Sequence, residues 1–381
     1  MNAQPPKSLA RLERLQGFLE RDPANLQLLG DAAAAAYDAG SYDLAAELLA
    51  RIEEIAGLSE AQTNLKGMAA LARGDHAAAA EVFEGLKARG VREPALDFNL
   101  AWSRAMMNDF KGALELLDDA VLAVSPRAPS LKIHAMHHLE MYDEALAAGE
   151  ELAERFPGNR ALMGALATLA LDAEKPELAQ HYAERAGDDP EAQAARGVLA
   201  LGEDDTERSL ALFEETIAVQ PASPRAWMGK GLSLLAMGKS EEALPAIDKG
   251  AELFGDHLGS WIASGWTHFA VGDRAGARAA FERALAIDAN FSESHGGLAV
   301  LDLLEGRLDD AKRRAQIAIR LDRNSLGGAL ASSLLLEAAG QSAMAERVRN
   351  IALNKPLTPG GRSIAQALTT LGPRMSKLKR T

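Results

Sequence analysis

Apolar residues return every three to four positions along most of the chain, and no stretch alternates strictly enough to read as a strand. The first such run, "SLARLERLQGFLERD" (8–22), sets Leu9, Leu12, Leu15, Phe18 and Leu19 roughly on one stripe, which predicts a leading amphipathic helix within residues 1–25. From residue 26 onward the helical runs come in pairs, each pair joined by a short polar or glycine turn.

Those turns keep a beat. Gly40, Gly74, Gly238, Gly272, Gly306 and Gly340 fall on a lattice of 34 residues, and Asn108, Glu140, Glu174 and Asp204 fill the intervening turns. Five residues after each turn stands Ala45, Ala79, Ala113, Ala145, Ala179, Ser209, Ala243, Ala277, Ala311 or Ala345. Seven before it stands a small residue, from Ala33 and Gly67 to Gly265, Ala299 and Ser333, with Ile133 the exception. Two columns of small residues on two helices joined by a turn predict antiparallel hairpins in close contact, because larger side chains would hold the backbones apart. Unit starts at 26, 60, 94, 126, 160, 190, 224, 258, 292 and 326 give ten hairpins over 26–353. The fourth and sixth starts follow their predecessors by 32 and 30 residues, and Lys132 and Pro176 stand near these two irregular steps. Residues 354–381 hold a candidate closing helix, "RSIAQALTTLG" (362–372), and a basic tail.

The stretches "AWMGKGLSLLAMGKSEEALPAI" (226–247), "SWIASGWTHFAVGDRAGARAAFERALAID" (260–288) and "GGLAVLDLLEGRLDDAKRRAQIAIRLD" (296–322) resemble the tetratricopeptide repeat family: Trp, small residue, Gly turn, Ala, Phe, Ala. The resemblance implies an all-α, right-handed α-solenoid superhelix whose first helices line a concave surface, with helices at both ends as caps. Under that arrangement the second, fifth, ninth and twelfth slots of each first helix face the groove. Trp227 and Trp261, in slot four, are expected in the packed core. The groove is expected to hold Asn64, Met68 and Leu71, then Phe98, Trp102 and Met106, then His134, His137 and His138. Further along come Thr168, Leu171, Val198 and Leu201, followed by Met228, Leu232 and Leu235, and by Ile262, Trp266 and Phe269. Val300, Leu303, Leu330 and Leu334 close the series. Such a wall, apolar with aromatic and methionine anchors, suits an amphipathic helix or an extended apolar segment of another protein. The family's other binding mode clamps an acidic C-terminus with Lys and Asn from the first helices. Here those inner slots hold no Lys and Asn64 stands alone, so that clamp is not expected.

Composition supports helix packing, with 48% hydrophobic but only 5% aromatic residues and abundant Ala and Leu. The absence of cysteine excludes disulfides, thiolate metal sites and a Cys nucleophile. No apolar run approaches the roughly 20 residues needed to cross a bilayer, and the first residues lack a signal-like apolar stretch, so a cytoplasmic setting is expected. The Ala- and Arg-rich character points to a bacterial-type chain. Residues 1–190 carry 31 acids against 18 bases, residues 191–381 carry 23 of each, and residues 353–381 carry six bases and no acid. An acidic body repels phosphates, which argues against nucleic acid and favours a partner with basic character; membrane contact through the tail is not expected.

Candidate chemistry is sparse. His134, His137 and His138 in "IHAMHHLEMYDEA" could meet a metal on one helical face, but Ala135 stands where a zincin motif needs Glu. "GKS" (238–240) lacks the first glycine of a phosphate loop, Ser233 standing there. "PGGRS" (359–363) reads as a linker before the closing helix. The expected function is therefore that of a non-enzymatic scaffold, adaptor or targeting chaperone with no cofactor and no resident metal. The alternatives are metal or enzyme chemistry at the His cluster, or a self-associating solenoid.

Overall fold

The computed structural model describes residues 7–353, and every regular element among them is helical. They divide into two compact units, one ending at Ala186 and one beginning at Gly187. The expected closing helix and basic tail lie outside the described residues.

The first unit opens with α1 (Lys7–Leu19), which buries Leu12, Leu15 and Leu19 against α2 and leaves Phe18 exposed. Its hairpins are α2 (Leu26–Asp38) with α3 (Tyr42–Ala56), and α4 (Glu60–Ala72) with α5 (His76–Ala88). α6 (Pro94–Met106) follows, its return helix split into α7 (Phe110–Leu114) and α8 (Asp119–Val124). α9 (Ala128–His138) pairs with α10 (Tyr142–Arg155), and α11 (Arg160–Asp172) with α12 (Pro176–Ala186). The second unit holds α13 (Pro190–Gly202) with α14 (Thr206–Val219), α15 (Pro224–Ala236) with α16 (Ser240–Phe254), and α17 (Leu258–Ala270) with α18 (Arg274–Ile287). It ends with α19 (Ser292–Leu304) and α20 (Leu308–Leu321), then α21 (Leu326–Ala338) and α22 (Ser342–Leu353).

The turn lattice has a backbone cause. All ten turn residues adopt positive φ: six are the lattice glycines, and Asn108, Glu140, Glu174 and Asp204 sit there at φ 55–64° without the freedom of glycine. Asp75, Asp109, Asp205 and Asp273, each directly after its turn, cap the following helix by accepting from a backbone N–H three residues on.

Several hairpins stack by inserting a large second-helix residue against small residues of the first helices. Phe213 lies against Gly197 of its own hairpin and Gly229 of the next; Phe281 lies between Gly265 and Gly297 in the same way. Both rings are fully buried, and Phe83 packs on Gly67. The Ile133 exception has a counterpart: sixteen residues on, in the column that holds Phe83, Phe213 and Phe281 in other hairpins, stands Gly149, and Leu166 of α11 fills the space above it.

The other departures are local. α8 starts afresh because Asp118 accepts from Val121 N at 3.0 Å, while Leu117 stays buried. The Lys132 ammonium then reaches the Leu117 carbonyl at 3.5 Å, a group that the break leaves outside a helix. Pro176 is the first residue of α12, where its missing N–H costs nothing. α9 begins at Ala128, two residues after the expected unit start.

Candidate protein-binding groove

The packed column of small residues fixes how each first helix is rotated. With Gly265 facing Phe281, Ile262 and Phe269 must lie to either side, and Trp266 turns toward the neighbouring helices. The same rotation recurs down the array. Met68, Phe98, Trp102, His134, His137, Met228, Leu235, Ile262, Trp266 and Phe269 are half-buried, and Met106, His138 and Leu232 are exposed. By contrast, the small residues Ala33, Gly67, Ala101, Gly197, Gly231, Gly265 and Ala299 are all buried.

In the second unit the stripe forms a joined patch. Trp266 meets Phe269 edge-on at 5.7 Å and the buried Phe281 at 5.2 Å, so one side of the indole belongs to the core. Trp266 and Phe269 share the same buried support, Ala299, Val300, Ala315 and Ala331, with Leu330 and Leu334. Val300 departs from expectation: it is 1% exposed. The cause is the close approach of α19 and α21, where Gly296 and Gly297 face Gly327 and Gly328 backbone to backbone. The Glu293 carboxylate locks this crossing by accepting from Leu326 N (2.6 Å) and Gly327 N (3.0 Å) at the start of α21.

Trp227 and Trp261 also depart from expectation. Both are half-buried instead of core, and each indole N–H donates to a carbonyl six residues earlier, Pro221 O at 2.8 Å and Gly255 O at 2.6 Å. His295 makes the same contact to Ala289 O at 2.9 Å. These side chains clasp each first helix to its preceding loop, a role that needs a long side chain with a polar tip.

The first unit has a more polar stripe. Phe98 and Trp102 lie 6.1 Å apart, and the Arg127 guanidinium sits 5.8 Å above the Trp102 ring. His138 stacks on Phe110 at 4.2 Å, while His137 pairs with Asp172 at 3.0 Å and meets the Tyr142 ring at 5.7 Å. His137 and His138 therefore point to different partners. Among the described residues, no group of three His, Cys, Asp or Glu is placed to hold a metal ion. Desolvation of the ring face stacked on Phe110, followed by the charges of His137 and His134, holds the His138 imidazole below its ordinary value. Phe110, Tyr142 and Arg127 were not singled out from the sequence. The first two stand on the lattice, two residues after each turn, in a column that also holds Tyr42 and His76.

"GKS" occupies the turn before α16, with Gly238 at φ 75° and no strand ahead of it among the described residues. No described helix is long and apolar enough to cross a membrane.

The fold and stripe define an array of helical hairpins that buries small residues between layers and keeps an apolar stripe on its first helices. Tetratricopeptide-repeat profiles match residues 194–257 and 268–334, and the described helices continue the same pattern of paired hairpins on the N-terminal side of those stretches. It is 30% identical over 105 residues to the Hsp70-Hsp90 organizing protein of Triticum aestivum, which is 28% of this chain and 18% of that protein. The matched stretch thus spans under a fifth of that relative's length. The solved structure of an IFIT1 monomeric mutant with Gppp-AAAA is similar over 92% of this chain and 95% of that one, at 11% identity and TM-score 0.54. That likeness speaks to the fold alone.

Proposed function

We propose that this chain is a protein-interaction scaffold that holds an apolar or amphipathic segment of a partner protein along the groove of its first helices. One observation carries the reading. Hairpin after hairpin, the first-helix stripe keeps large apolar and aromatic side chains partly in water, whereas the adjacent column is small and buried. A helix laid along the stripe with anchors at i, i+3, i+4 and i+7 would take that surface out of water, at about 25 cal/mol per Å² before the cost of ordering the partner. The acidic first unit, with 29 acids against 18 bases, favours basic residues flanking such a segment. No covalent step is involved, and a cytoplasmic setting belongs to the same proposal. The name of the wheat relative ties that protein to Hsp70 and Hsp90; a chaperone-linked adaptor role for this chain is one form the scaffold could take.

The test is a selection of binding peptides from a random library, followed by calorimetry with three variants. Leu232→Asp and Met106→Asp alter exposed stripe residues, and Leu308→Asp alters an equally exposed residue at the start of a second helix. Stripe variants should weaken binding about tenfold or more, which is ~1.4 kcal/mol, with melting unchanged and the second-helix variant silent. Equal binding by all three sinks the proposal.

A further inference from the structure

A column of rings runs along the turns of the first unit, beside the stripe. Two residues after the turns of four consecutive hairpins stand Tyr42, His76, Phe110 and Tyr142, each half-buried. Tyr42 meets Tyr37 at 5.4 Å, Phe110 lies flat on His138, and Tyr142 meets His137 edge-on, so a ring of a first helix covers part of each of these three. The same column in the second unit holds Thr206, Ser240, Arg274 and Leu308. Helix pairing does not require aromatic residues here, since the second unit builds equivalent turns without them.

Each ring also has an aspartate as its chain neighbour: Asp43, Asp75, Asp109 and Asp143. Acids by themselves mark nothing at this edge. Within four residues of the five turns of the first unit stand ten acids against four bases, and in the second unit twelve against four. They gather there because every turn leads into a helix N-terminus. The first unit differs in placing a π face beside a carboxylate, hairpin after hairpin.

Two cations of the chain itself already sit at such rungs. The Arg73 guanidinium lines a pocket of about 610 Å³ together with Tyr42 and Asp43, and its Nε lies 2.8 Å from the Asp43 carboxylate. Lys175 stands 3.7 Å from Asp143. Both carboxylates remain largely exposed. A guanidinium suits a ring beside a carboxylate better than an ammonium does, because its plane lies on the ring while its edge donates two hydrogen bonds. Neighbouring helices pack about 10 Å apart, which is the rise of about three residues of extended chain.

We propose that the turn edge of the first unit binds an extended, arginine-bearing segment of a partner protein, with guanidinium groups at every third residue seated between the rings of Tyr42, His76, Phe110 and Tyr142 and the adjoining aspartates. Net negative charge along the edge attracts such a segment, and the rings select arginine over lysine. This surface lies outside the groove, and the inference stands whether or not the groove reading holds.

The full chain is titrated by fluorescence anisotropy at about 0.15 M salt. One probe is a peptide with arginine at every third position and serine between; the other is the same peptide with lysine. The arginine peptide should bind about fivefold tighter or more. Tyr142→Leu and, on another hairpin, His76→Leu should each reduce that preference. Two pairs of charge-removing variants at exposed, equivalent positions locate the site without disturbing the packing. Asp143→Asn with Glu144→Gln, beside Tyr142, should weaken the arginine peptide about threefold or more. Glu241→Gln with Glu242→Gln, at the same two positions of α16 where no ring stands, should leave it unchanged. Equal weakening by both pairs would assign binding to bulk charge, and equal affinity for the two peptides would remove the rings from it. Either result, or no binding at all, overturns the inference.

Discussion

Substituting Gly297→Ala tests the stacking logic where it is tightest. A Cβ at residue 297 would stand 2.6, 2.7 and 2.8 Å from three ring carbons of Phe281, against the 3.5–4.0 Å of ordinary carbon contact. The ring would have to retreat by about 0.8 Å, and Gly265 already closes its other side. Overpacking of this kind costs about 1–3 kcal/mol, and the better helix propensity of Ala returns about 1 kcal/mol. The net expectation is a loss of up to about 2 kcal/mol, measured by urea denaturation followed by circular dichroism. Phe281→Leu in the same chain should restore part of the loss, giving a favourable coupling of about 1 kcal/mol in a double-mutant cycle. Gly17→Ala in α1, where a Cβ would meet nothing within 4 Å, supplies the opposite sign: a gain of about 0.5–1 kcal/mol. If Gly297→Ala proves more stable than the parent chain, or if the cycle shows no coupling, the ring is not held between the two glycines and the layer geometry is wrong.

Three further outcomes follow from specific contacts. Glu140→Gly and Glu174→Gly, at φ 59° and 55°, should each stabilise the first unit by about 0.5–1 kcal/mol, the left-handed strain of ~1–2 kcal/mol less the extra entropy of glycine; a loss in a urea melt would contradict this. Burial alone would raise the Asp302 carboxyl, but hydrogen bonds from Arg307 and Arg278 and the charge of Arg314 outweigh it and hold it below the usual range. Asp302→Asn should therefore cost about 3 kcal/mol in denaturant unfolding, and a change under 1 kcal/mol would show that the surrounding arginines are held by Glu305 and solvent instead. Because the folded His138 binds a proton less readily than an unfolded histidine, its contribution is complete above the ordinary value of 6.5 and is lost as pH falls through that value toward the folded one. The drop in stability between pH about 7.5 and about 5.5 should shrink in His138→Gln, and an unchanged drop would assign it to other groups.

The hairpins were legible because two physical constraints write themselves into single residue types. A left-handed turn selects Gly or a tolerated polar residue, and close helix contact selects Ala, Gly or Ser, so turn and column can be counted along the chain. The helix break before Asp118 was not legible, since no Pro or Gly marks it and only the burial of Leu117 against a new cap explains it. The slot assignment missed Val300, because the rotation of α19 depends on the Gly296–Gly327 approach, a long-range contact that the helical period cannot show; nor does the period show that one side of Trp266 packs on Phe281. Trp227 and Trp261 were misplaced for a related reason: slot counting treats Trp as purely apolar, whereas the indole N–H draws the ring to the carbonyls of Pro221 and Gly255. In the histidine cluster the spacing was visible, but the partners that disperse it, Phe110 and Asp172, come from other hairpins.

Hydrogen exchange of the full chain with and without a library-selected peptide tests the central claim most directly. Binding in the groove predicts slowed exchange concentrated in the first helices 94–106, 224–236 and 258–270, with the second helices 206–219 and 240–254 little changed. Protection confined to second helices or to the loops between hairpins would contradict it.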